Sequence, residues 1–175
     1  MAQGVVSKSG LVAIVAAAML VTVAATPTIA ASKAPLGYQL MCLKTPSECK
    51  GGGTSVAKAT DGTITLLKRV NAQVNAAITP RNDGGADVWN ASASAGDCED
   101  YVLAKRRALI KAGISASALR IAHVKTRGGV GHAILVVKTT RGDYVLDNLN
   151  RSVRPLSQAG YRIISMSGAN PMSWS

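Results

Sequence analysis

The 175-residue sequence predicts an α+β fold, helices first and an antiparallel sheet after them. Two segments before residue 113 carry apolar residues at spacings of three and four, the period of a helix packed on one side. From Leu119 the spacing changes to two, and two of the alternating runs flank Thr139-Thr140-Arg141-Gly142, a hairpin connection.

The first thirty residues are expected to lie outside that fold. Lys8 precedes an uncharged apolar run from Leu11 to Ala25, then small residues through Ala30-Ala31. That is the layout of a secretory signal peptide cut after Ala30. The run is shorter than the roughly 20 residues a membrane span needs. Residues 1–30 are therefore read as a signal peptide and residues 31–175 as one domain, periplasmic or secreted. The formal charge of +11 falls only to +10 when Lys8 leaves. The basic residues are spread along the chain and only six residues are aromatic, so a nucleic-acid partner is not expected. The charge suits an acidic partner or envelope surface. A monomer is expected.

Residues 31–59 read as a turn-rich lead with a cysteine-linked loop, ending in the connector Gly51-Gly52-Gly53. Outside the cytoplasm thiols tend to pair. Cys42 and Cys49 stand seven apart around Pro46, so a local disulfide would leave Cys98 as the free thiol; all three reduced is the alternative. Asp61 and Thr63 are placed to cap a helix running to about Ile78, with Leu67, Val70, Val74 and Ile78 in one stripe and Pro80 ending it. A polar loop over 80–95 carries Trp89. Asp97 opens the second helix, with Asp97 and Asp100 at capping-box spacing. Val102, Leu109 and Ala112 share a face with Cys98, and Gly113 suits the position after the helix. Residues 119–125, 132–138 and 143–148 read as strands, with 161–166 a fourth.

The chemistry centres on Cys98, at the first position of its helix in Gly96-Asp97-Cys98-Glu99-Asp100. His132 follows 34 residues later and Asp147 a further 15. A thiol at a helix start, then His and Asp on apolar strands, is the pattern of a nucleophile with its base and orienter. The helix dipole favours the thiolate, whereas Asp97, Glu99 and Asp100 oppose it. His123 competes with His132 as base, but His132 follows small residues that admit a substrate backbone. Asp143 sits at the hairpin turn and reads as structural. If Lys138 pairs with Asp143, then Ile134 lies opposite Asp147 and His132 becomes its diagonal neighbour on the same face.

The residues Gly96-Asp97-Cys98-Glu99-Asp100-Tyr101, Lys105-Arg106, Gly131-His132-Ala133-Ile134-Leu135 and Leu146-Asp147-Asn148 resemble the bacterial transglutaminase-like cysteine peptidases, a family that includes periplasmic adhesin proteases. Cys42, Pro46 and Cys49, with Val70-Asn71 and Val74-Asn75, resemble its upstream segments. The resemblance implies a papain-like, transglutaminase-like fold and a Cys98–His132–Asp147 triad that hydrolyses peptide bonds. It implies calcium held by Asp97 and Glu99, with Asp100 as a further candidate, a large surface adhesin as protein substrate and a membrane receptor that restrains the enzyme. A cation there would cancel the charges beside the thiolate; the alternative is that the acids only cap the helix. The spacing after Trp89 departs from the family pattern, so the Cys98 amide is the better oxyanion donor. Transglutaminase or amidase chemistry on the same residues, and a non-catalytic binding domain, are the alternatives.

Overall fold

A computed structural model of the chain describes residues 1–4 and 32–175; the expected signal peptide falls almost entirely outside them. No helix among the described residues is long and apolar enough to cross a membrane. The order is β1 (Ser32–Lys33), α1 (Leu36–Lys44), α2 (Asp61–Ala77), β2 (Thr79–Pro80), β3 (Ala95–Gly96), α3 (Cys98–Lys111), β4 (Leu119–Lys125), β5 (Gly131–Thr139), β6 (Gly142–Leu146), β7 (Arg154–Pro155), β8 (Arg162–Met166) and β9 (Ser173–Trp174). The α+β reading holds: helices come first, then a five-stranded antiparallel sheet in the order β7-β6-β5-β4-β8.

Helix α2 starts one residue earlier than the sequence suggested. Thr60 is the cap, its hydroxyl accepting from the Thr63 amide at 3.1 Å, an arrangement worth ~1 kcal/mol. Leu67 and Val70 enter the core. The helix ends before Pro80, and Thr79–Pro80 pair in parallel with Ala95–Gly96 in the loop ahead of α3. Helix α1 was not foreseen. Its leucines 36, 40 and 43 are exposed while Gly37, Tyr38 and Met41 are buried, so its inward face carries no leucine stripe for a periodicity reading to find. Gly37 is required there, because a Cβ would sit 2.6 Å from the Trp89 ring.

The sheet has two apolar faces. Leu119, Ile121, Ala133, Leu135, Val137 and Leu146 pack with α2 and α3, and Ala122, Val124, Ile134, Val136 and Val145 form a second cluster with Ala159. The hairpin keeps the expected register, Lys138 with Asp143, and extends it by one pair, Thr139 with Gly142. Gly142 takes a φ of +97°, which a side chain would strain. A Lys138–Asp143 ion pair of 2.6 Å spans the turn, consistent with a structural Asp143. β8 pairs with β4 and forms the edge of the sheet opposite β7.

Cys42 and Cys49 form a disulfide, with Cα atoms 5.7 Å apart, leaving Cys98 as the free cysteine. The loop they close is tied to α3 by Arg106, whose guanidinium donates to the carbonyls of Glu48 at 2.6 Å and Lys50 at 2.9 Å. Free-thiol titration of the unfolded, unreduced protein is expected to find one thiol per chain and three after reduction. Three thiols before reduction would contradict the bridge.

Candidate active site

Cys98 is the first residue of α3, so its own amide has no partner within the helix and is available as a donor. The helix end is packed by Asp100 rather than by a capping box. The Asp97 side chain makes no cap hydrogen bond. Asp100 instead turns back, its carboxylate accepting from the Asn90 amide at 2.7 Å and lying against Gly96, where any Cβ would collide with it. Burial pushes the Asp100 carboxyl up to about 6, against the pull of the Asn90 amide.

His132 stands at the start of β5, and its Nε2 lies 2.8 Å from Asp147 Oδ1, just past the end of β6. Both residues are buried. The hairpin register produces this contact, since pairing Leu135 with Leu146 carries Asp147 beside the His132 face of the strand. Nδ1 is the ring nitrogen left for other work. The backbone of Ala133, next to His132 on β5, favours the ionised form of the Cys98 thiol. The thiol itself donates to Glu99 Oε2 at 2.9 Å, so the structure joins His132 to Asp147 and Cys98 to Glu99. Burial pushes the Cys98 thiol up, the hydrogen bond to Glu99 and the Glu99 and Asp97 charges push it further, and only the Ala133 amide pulls it down.

The Asp97 and Glu99 carboxyls act on one another, while the Asp100 carboxylate is engaged by the Asn90 amide. Burial raises Glu99 to about 7; the thiol hydrogen bond opposes that shift, and the Asp97 carboxyl reinforces it. Asp97 Oδ1 is buried with no hydrogen-bond partner among the described residues. No group of three or more His, Cys, Asp or Glu side chains there is arranged to hold a metal.

His123 is packed between the rings of Trp89 and Trp174, with centroids 5.7 and 5.6 Å away. It lines the same open cleft as Glu99, Gly131, His132 and Ile164. The Trp89 indole N–H donates to Asp87 at 2.9 Å, so it is engaged away from an oxyanion role.

Sequence reasoning missed the groups that hold Asp147. Tyr161 donates its hydroxyl to Oδ2, and its ring lies 5.8 Å from that of His132. The Leu149 amide donates to Oδ1 at 2.9 Å. From α2, Asn71 Oδ1 accepts from the Asp147 amide at 3.0 Å and Asn75 Nδ2 donates to its carbonyl at 2.9 Å. The signal was present in part: Asn71 and Asn75 are polar residues one turn apart beside the buried stripe of α2. Burial alone would raise the Asp147 carboxyl, but the bonds from His132, Tyr161 and Leu149 outweigh it and hold the group below the usual carboxylate range.

The profile of one family, the bacterial transglutaminase-like cysteine proteinases, matches residues 28–175. Among solved structures, calcium-bound LapG of Legionella pneumophila aligns at 22% identity and a TM-score of 0.56, over 64% of this chain and 68% of that one. EGTA-treated LapG of the same organism aligns at 21% identity and a TM-score of 0.54, over 62% and 64%. A further LapG structure gives 22% and 0.55, over 64% and 66%. The alignments thus span about two thirds of each neighbour, and at this identity they establish the fold. No curated protein matches the chain.

Tyr161→Phe is expected to cost about 1.5–3 kcal/mol at pH 7, the range for a hydrogen bond to an ionised group. Because that bond helps depress the folded-state value of Asp147, its contribution is present above the unfolded carboxylate value of about 4 and is lost as pH falls through the lower folded one. Thermal unfolding at several pH values should show the penalty shrinking below about pH 4. A pH-independent penalty would contradict this account.

Proposed function

The chain belongs to the bacterial transglutaminase-like cysteine proteinases, and on that premise we propose that Cys98, His132 and Asp147 are the catalytic triad of an exported cysteine peptidase. The observation that carries the reading is the buried His132–Asp147 bond at 2.8 Å, with Cys98 as the free thiol at the start of α3. Asp147 fixes the imidazole through Nε2 and leaves Nδ1 to take the thiol proton. The thiolate attacks the peptide carbonyl, the carbonyl oxygen gains the Cys98 amide as donor, and His132 returns the proton to the leaving amine. Water then enters by the reverse of these steps and hydrolyses the thioester.

The thiol's bond to Glu99 must break for this sequence to begin. Asp97 and Glu99 offer hard oxygen donors, and the buried Asp97 Oδ1, which accepts no hydrogen bond among the described residues, suits a cation. These two residues are assigned to calcium, in keeping with the calcium-bound neighbour. Calcium there would supply positive charge beside the nucleophile and offset both carboxylates. Asp100 is satisfied by backbone and is left out of the set. The shallow cleft beside His132 suits an extended polypeptide. By family likeness the substrate is a large surface adhesin, with a membrane receptor restraining the enzyme, and residues 1–30 direct export.

Cys98→Ala should reduce hydrolysis of a protein substrate by about 10³-fold or more with the melting temperature preserved, and His132→Ala should nearly match it. Wild-type cleavage by Cys98→Ala would refute the triad. An added amine incorporated into product in place of water would instead assign acyl transfer.

Chelation by excess EGTA should lower the rate or the melting temperature, and millimolar Ca²⁺ should restore it where Mg²⁺ does so poorly. Asp97→Ala and Glu99→Ala should each weaken that response. Equal rates and melting temperatures with and without Ca²⁺ would reduce the acids to a helix-end feature.

A further inference from the structure

Helix α1 is apolar on two opposite sides. Gly37, Tyr38 and Met41 face inward and are buried, while Leu36, Leu40 and Leu43 are 70%, 48% and 79% exposed. At 3.6 residues per turn those three leucines fall within about 60° of arc, opposite the buried face. Apart from Met1, Leu43 and Leu36 are the most exposed large apolar side chains among the described residues. Val88, also exposed, shares a shallow groove with Leu40, Met41 and Lys44. Single exposed apolar residues are ordinary, but a helix apolar on both sides is one that is covered on both.

The charges around this face do not cancel. Lys33 precedes α1, Lys44 closes it, and the Cys42–Cys49 disulfide holds Lys50 beside it. All three lysines are exposed, and none is in an ion pair among the described residues. The neighbouring carboxylates are engaged: Asp87 accepts from the Trp89 indole, Asp83 accepts from the Val88 amide, and Glu48 pairs with Arg107. Outward leucines flanked by unpaired lysines complement an apolar layer beneath an anionic one, which is a lipid leaflet with acidic headgroups. A protein interface core is built instead on aromatic and Arg anchors, and this face presents neither.

We propose that α1 is a membrane-contact helix: Leu36, Leu40 and Leu43 enter the headgroup boundary of an anionic bilayer while Lys33, Lys44 and Lys50 meet its phosphates. Its buried face joins it to the body of the molecule. The cleft beside His132 is lined by Glu99 and by residues of β4, β5 and β8, so the contact uses a separate surface. The proposal does not depend on the triad reading.

The exported protein should sediment with vesicles of phosphatidylethanolamine and phosphatidylglycerol and not with vesicles of phosphatidylcholine. Raising NaCl to about 0.5 M should weaken the binding, because salt screens exposed charges. The triple variant Leu36→Gln, Leu40→Gln, Leu43→Gln keeps good helix formers and should lower the vesicle partition coefficient by about tenfold or more. Lys33→Gln and Lys44→Gln should each lower it about fivefold at low salt. All five side chains are exposed, so melting temperatures should stay at the wild-type value. Equal binding to phosphatidylcholine, or an unchanged partition coefficient in the folded leucine variant, overturns the proposal. A dimer abolished by the leucine substitutions, with no vesicle binding by wild type, assigns the face to a second copy and also overturns it. Selective binding to anionic vesicles by a protein that cleaves no peptide would refute the peptidase reading and uphold the membrane contact.

Discussion

The burial of the Asp147 carboxylate is the constraint around which the molecule is arranged. A charge out of water must be paid for by hydrogen bonds and countercharge. Here the partners come from four separate places: His132 on β5, Tyr161 ahead of β8, the Leu149 amide, and the two α2 asparagines that hold the Asp147 backbone. Helix α2 and both sides of the sheet are thereby fixed relative to one carboxylate. The orientation of His132 follows from that network, because the oxygen it meets is held by other groups.

The nucleophile is governed by a different balance. Asp97 and Glu99 sit beside Cys98 and oppose its ionisation, which is the reverse of what a helix N-terminus does for a thiol. Such an arrangement makes the reactivity of Cys98 depend on whatever neutralises the two acids. The base and orienter, by contrast, are assembled without them.

Most of the α+β order was legible because each element carried its own period. The switch from three-and-four to two at Leu119 marks the sheet, and the register of the hairpin could be counted from Lys138 and Asp143. The His132–Asp147 contact followed from that count. Helix α1 was not legible, since its leucines face solvent and its burial depends on Gly37, Tyr38 and Met41 meeting a distant Trp89. Nor was the role of Asp100: its spacing matches a capping box, but the carboxylate finds the Asn90 amide across the loop. The support of Asp147 by Tyr161, Asn71 and Asn75 depends on tertiary approach, which local spacing does not encode.

Gly96 illustrates how a sequence signature can mislead. Its Cα lies under the Asp100 carboxylate, so every other residue type would dislodge that side chain and with it the Asn90 loop. In a saturation scan, position 96 would score as intolerant as the nucleophile two residues on. That intolerance would report crowding at a helix entrance, and a count of intolerant letters would enlarge the apparent reaction centre by a residue constrained through its packing on Asp100.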